Sequence, residues 1–105
     1  MLGEGNPLNT SDQWWVDCID DILGMWPIHF SKKHDSSYET AIAMRGVLRY
    51  LLKCADGEDR GPDYIAALKA DLTTKEIAKQ FGFKATRTAS HHRKALRILQ
   101  QAGNI

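Results

Sequence analysis

The side chains best suited to reading another molecule cluster after Phe83: Thr86, Arg87, Ser90, His91 and Lys94. An arginine fork gives two parallel hydrogen bonds to a guanine edge, and serine or threonine hydroxyls serve several base edges. Around them stand Lys75, Lys79, Lys84, Arg93 and Arg97, the residue types that neutralise phosphates. From Thr73 onward seven bases face a single acid, Glu76, a net of +6, whereas residues 1–72 hold seven bases and twelve acids, a net of −5. The whole chain of 105 residues carries only +1. Such asymmetry points to a polyanion-binding end joined to an end that a polyanion would repel.

Other chemistry is poorly supplied. The four histidines and two cysteines form neither C-x-x-C nor H-E-x-x-H, the spacings that hold zinc. On a helix, His91 and His92 point about 100° apart and do not converge on one ion. Asp17, Asp20 and Asp21 are the residue type that holds Mg²⁺, but acids near a helix start are favoured by the helix dipole alone. No nucleophile has a neighbouring base, and no glycine loop is built to cradle phosphate. The expectation is a protein without catalytic activity, metal or cofactor. Cys18 and Cys54, far apart in sequence, suit a reducing compartment. With no cleavable signal and no membrane-spanning apolar run, the expectation is a soluble, cytoplasmic protein without membrane contact.

These side chains need a scaffold, and the sequence predicts an all-α one. Residues 1–9 read as a flexible N-terminal arm and residues 10–105 as a single domain. Thr10 and Gln13 fit a capping box, followed by Trp15, Cys18, Ile19, Ile22 and Trp26 at helical spacing until Pro27 stops the helix. A polar loop is expected next. Ser36 and Glu39 then suggest a second capping box, and Ala41, Met44, Leu48, Leu51, Leu52 and Ala55 continue an apolar stripe to Gly57. Residues 56–61 read as a turn, and Pro62 opens a short helix over 62–70. Thr73 and Glu76 give a third capping box for a helix of about residues 74–81, ending at Gly82. The last helix begins near Ala85 or Thr86 and runs to Ala102. The sum is a compact bundle of about five helices, with residues 10–57 as acidic supports for a basic 62–105 region. Two of the three tryptophans, Trp15 and Trp26, are expected in the core; Trp14 lies further round the helix, where ordinary core packing is favoured over an exposed position suited to a protein partner.

The segment LTTKEIAKQFGFKATRTASHHRKALRIL resembles a helix-turn-helix. Ile77 supplies the apolar position of the first helix, Ala78 the small residue that lets two helices approach, and Gly82 the positive φ of a tight turn. Phe81 and Phe83 flank that turn as anchors. The similarity is to the superfamily of bacterial and phage DNA-binding transcription regulators, including its sigma-factor-like branch. The tail LQQAGNI resembles the point where winged-helix regulators leave the recognition helix, here with no wing expected.

Aligned without a gap, the family's apolar positions fall on Thr88 and His91. One extra turn residue moves them to Ala89 and His92. The second register gives an inward stripe of Ala85, Ala89, His92, Leu96 and Leu99, with His92 as a hydrogen-bonded core histidine. Arg87, His91, Lys94 and Ile98 then line the outward face, flanked by Ser90 and Arg97. The resemblance implies sequence-directed binding of double-stranded DNA, by a phage, plasmid or bacterial regulator that pairs as a homodimer on a two-part site. Thr86, Arg87, Ser90, His91 and Lys94 would make base-edge and nearby contacts, and Lys75, Lys79, Lys84, Arg93 and Arg97 would meet phosphates. The alternative is an adaptor that uses the same scaffold to bind RNA polymerase or another protein through its acidic N-terminal helices, since a fold does not fix a function.

Overall fold

The computed structural model describes residues 10–105, so the arm expected over residues 1–9 lies outside the described residues. Among the described residues every regular element is a helix: α1 (Asp12–Asp17), α2 (Ile19–Gly24), α3 (Pro27–His34), α4 (Tyr38–Ala55), α5 (Gly61–Lys69), α6 (Thr74–Phe81) and α7 (Thr86–Gln101). There are seven where about five were expected, and both extra helices lie in the N-terminal third.

The expected first helix is interrupted at Cys18, whose φ of −112° and ψ of 22° leave the helical range. There the Cys18 thiol donates to the carbonyl of Trp14 at 3.2 Å. The expected polar loop is instead α3. Pro27 sits in its first turn, where a missing N–H costs nothing and the fixed φ suits a helix. Lys32, Lys33 and His34 occupy its last turn, the end that favours positive charge. Trp26 therefore caps α3 and stands 69% exposed, a correction to its expected place in the core. Two caps move by one residue. Ser11, not Thr10, accepts from the Trp14 amide at 3.2 Å, and Ser37, not Ser36, accepts from the Thr40 amide at 3.0 Å.

The C-terminal elements follow local signals closely. Gly57 (φ 95°) ends α4 with Glu58 N–H donating to the Lys53 carbonyl, the left-handed turn that glycine adopts without a Cβ penalty. Thr73 and Glu76 close the expected capping box in both directions, at 2.9 and 3.0 Å.

α4 and α7 are the two helices on which the others assemble. α4 packs against α2, α3, α5 and α7, and α7 against α1, α4, α5 and α6. Trp15, Ile22, Phe30, Met44, Leu48, Leu51, Tyr64, Ile77, Ile98 and Leu99 form the fully buried centre. Enclosure by four neighbours explains why α7 is buried on more than one face. Ala89, His92, Leu96 and Leu99 are inward as expected, but Lys94 and Ile98 are buried too, while Ala85 is exposed. The cover over Lys94 and Ile98 comes with α1. Asp12, in the first turn of α1, accepts from Lys94 Nζ at 2.7 Å and from Arg97 Nε at 2.9 Å. Burial alone would raise the Asp12 carboxyl, but hydrogen bonds from Arg97 and Lys94 hold it below the usual carboxylate value.

The Lys94 side chain is only 6% exposed. Removing its counter-charge strands a buried ammonium, which typically costs about 3–5 kcal/mol, whereas an apolar replacement of similar volume is often neutral. Because Asp12 is itself partly wetted, Asp12→Asn should lower stability by about 2–4 kcal/mol and Lys94→Met by no more than about 1 kcal/mol. Urea unfolding midpoints check this, and equal losses in both variants would contradict the clamp.

Candidate nucleic-acid interface

α6 and α7 meet through a four-residue link, 82–85. On α6, Ile77 and Ala78 are buried. The link folds back over the helix end, and Phe83 N–H donates to the Ala78 carbonyl at 2.8 Å. Gly82 makes this possible with φ 78° and ψ 24°. A Cβ there would meet no atom within 4 Å, so the glycine answers to backbone conformation and not to crowding.

Beneath the link lies an aromatic cluster. Phe81 and Phe83 are half-buried and meet Tyr64 edge-on, with ring centroids 4.8 and 5.8 Å apart. The Tyr64 hydroxyl hydrogen-bonds to His92 Nδ1, tying α5 to α7. Burial, with a smaller push from the Arg60 charge, lowers His92 to about 4, and burial raises the Tyr64 phenol. Both groups are therefore neutral at physiological pH. Arg60 closes the cluster from outside. Its guanidinium carbon sits 4.5 Å from the Phe83 ring centroid, and its Nη1 donates to the Tyr50 hydroxyl at 2.6 Å. Sequence reasoning missed Arg60, which lies in the 56–61 turn with no pattern to link it to Phe83.

The ten candidate contact residues divide into two groups. Lys75, Lys79, Lys84, Thr86 and Arg87 are exposed. Among the described residues the four cations of this group make no ion pair. Ser90 and His91 are half-buried, and burial together with the Arg87 charge lowers His91, so its ring is neutral. The remaining three are occupied. Arg93 donates to the carbonyls of Leu68 and Ala70 at 3.2 and 3.1 Å, satisfying the end of α5. Lys94 and Arg97 are engaged by Asp12.

Lys94 is thus corrected from an outward contact to a buried ion pair, and Ile98 from an outward to a core residue. At about 100° per residue, the accessible side of α7 carries Thr86, Ser90, Arg93, Arg97 and Gln100. It is turned by roughly one residue from the expected Arg87, His91, Lys94, Ile98 line, because α1 covers that line in its C-terminal half. Arg87 stays exposed because it lies beyond the reach of that cover.

Among the described residues no three His, Cys, Asp or Glu side chains are grouped to hold a metal ion. Cys18 and Cys54 are buried free thiols, and burial pushes Cys18 up to about 11, which keeps it an unreactive thiol. Asp21, one of the three acids considered for Mg²⁺, is held by Lys33 and His34 at 2.9 and 2.8 Å. No helix is long and apolar enough to cross a membrane among the described residues.

Because His92 falls from 6.5 to about 4 on folding, the unfolded chain binds its proton more readily. This contribution to stability is whole above pH ~6.5 and is lost as pH falls towards ~4. Between pH ~7 and ~5 the His92 part amounts to about 2 kcal/mol, and His91 adds with the same sign. His92→Gln keeps an acceptor for Tyr64 but does not titrate, so urea midpoints of this variant should fall less steeply over that window. An unchanged slope would remove the assignment. Compared with known proteins, the chain matches no family model, no curated protein and no solved structure.

Proposed function

We propose that α6 and α7 work as a helix-turn-helix that docks on double-stranded DNA, with the start of α7 entering the major groove. The observation that carries this reading is the set of exposed, ion-pair-free cations at Lys75, Lys79, Lys84 and Arg87, among the described residues. Glu76, the single acid from residue 73 onward, accepts from the Thr73 amide in its capping box and pairs with none of them among the described residues. α7 also begins without a side-chain cap or an acid in its first turn. Its positive dipole end favours an approaching phosphate.

In this reading Thr86, Arg87 and Ser90 meet base edges, because the N-terminal residues of a recognition helix lie deepest in the groove. Lys75 and Lys79, four apart on α6, and Lys84 in the link meet phosphates. Lys94 takes no part. The resemblance extends the reading to transcription regulation in a bacterial, phage or plasmid setting, with two copies on a two-part site.

Neutralising about three to four phosphates per copy gives a log-affinity slope against log salt of roughly −3 to −4. Fluorescence anisotropy on duplexes selected from a random pool should show that slope. Arg87→Ala should weaken the selected site by about 1–3 kcal/mol and relax base preference. Lys84→Ala should reduce the slope by about 1, and Lys94→Met should leave it unchanged. Absence of duplex binding at low salt would sink the reading.

One feature favours a second reading, the protein adaptor. Trp26, Ile28, Tyr38 and Ile42 are exposed large apolar residues, and Tyr38, Ile42 and Arg45 share one face of α4, with Arg45 lying 6.0 Å from the Trp26 ring centroid. A protein partner such as RNA polymerase would cover this side. Partner capture lost in Trp26→Ser, together with no retention on heparin, would select this reading over the first.

A further inference from the structure

A second basic feature lies apart from the exposed cations of α6 and the link. Between the end of α5 and the middle of α7 runs a groove of about 410 Å³, lined by Leu68, Lys69, Arg93, Leu96, Arg97 and Gln100. Three of the six carry positive charge, one is an amide and none is acidic. Leu68 and Leu96, 4% and 3% exposed, give it an apolar floor. Its volume falls within the range of roughly 300–1,000 Å³ that small-ligand sites occupy.

We propose that this groove binds an organic phosphate monoester, with the phosphate on Lys69, Arg93 and Arg97 and a flat apolar body on Leu68 and Leu96.

Charge selects the anion. Asp12 is shared between Lys94 and Arg97, so it offsets one of those two cations. With Lys69 and Arg93 the surroundings still hold an excess of more than one positive charge. A dianionic phosphate matches that excess better than a single carboxylate.

Donor geometry points the same way. Arg93 uses Nε and Nη2 on the last carbonyls of α5, leaving Nη1 for a ligand. Arg97 uses Nε on Asp12, leaving both terminal nitrogens. The two guanidinium groups are held by protein partners before any ligand arrives, so little side-chain freedom is lost on binding. Arg93 also covers the α5 carbonyls, which would otherwise repel an anion.

The same phosphate chemistry is present in a nucleic-acid backbone, and the test separates the two sources. Chemical shifts of the backbone amides of Lys69, Arg93 and Gln100 would be followed by NMR in the full chain. The probes are 1-naphthyl phosphate, inorganic phosphate, 1-naphthol and a short duplex. Naphthyl phosphate should bind at least about tenfold more tightly than inorganic phosphate or naphthol, since charge and apolar body both contribute. Lys69→Gln and Arg97→Gln should each weaken it about five- to tenfold, while Lys75→Gln leaves it unchanged.

No shift at these amides with millimolar naphthyl phosphate would overturn the proposal. So would binding that ignores both groove variants. Equal affinity for inorganic and naphthyl phosphate, with Lys69→Gln weakening the duplex instead, would make the groove a backbone seat and overturn the small-ligand assignment. Because duplex binding in the proposed function rests on Lys75, Lys79, Lys84 and Arg87, either result can fail while the other stands.

Discussion

One carboxylate decides which side of the last helix meets solvent. Asp12 stands at the start of α1 and takes both the ammonium of Lys94 and the guanidinium of Arg97, residues 82 and 85 positions away. A buried ion pair of this kind is weak evidence for stability, because desolvation offsets most of its attraction. Its effect on geometry is larger. α1 packs against α7 with Asp12 in reach of both cations, and Lys94 and Ile98 are buried on that helix. The opposite charges of the two halves of the chain meet at this contact. Asp12 offsets one of the two positive charges it engages, and Lys94 is buried, so the net +6 of that segment beyond residue 72 overstates the charge available to a partner.

The fold was legible wherever its signals were local. Pro62 in the first turn of α5, the Thr73–Glu76 box and Gly82 at positive φ each act within a few residues, and the limits of α5, α6 and α7 follow from them. The N-terminal third was harder because its signals are ambiguous at short range. Pro27 ends one helix and begins the next. Thr10 and Ser11, or Ser36 and Ser37, are chemically interchangeable caps until the chain path selects one.

The candidate site was legible in part. His92 could be placed in the core because it falls in line with Ala89, Leu96 and Leu99. Lys94 could not, because a lysine reads as solvent-facing until its partner is known, and that partner lies at the far end of the chain. Arg60 gave no signal at all. Its role depends on Phe83 and Tyr50 arriving beside it, which only tertiary packing decides.

These constraints divide α7 into an anchored shaft and an open tip. From His92 onward most of its side chains are buried or engaged, by Tyr64, by the α5 carbonyls and by Asp12. From Thr86 to His91 only Ala89 is fully buried. A contact surface carried on a clamped helix loses little freedom when it binds, whereas the same residues on a loop would have to be ordered first. Burial under the link explains why His92 must stay neutral. An imidazolium beneath the link would face the Arg60 charge in a poorly solvated cluster, with both the desolvation and the repulsion acting against it. The tip keeps its bearing because the histidine under it has surrendered its charge to burial, leaving the positive charge on Lys84 and Arg87, outside, where an anion can reach it.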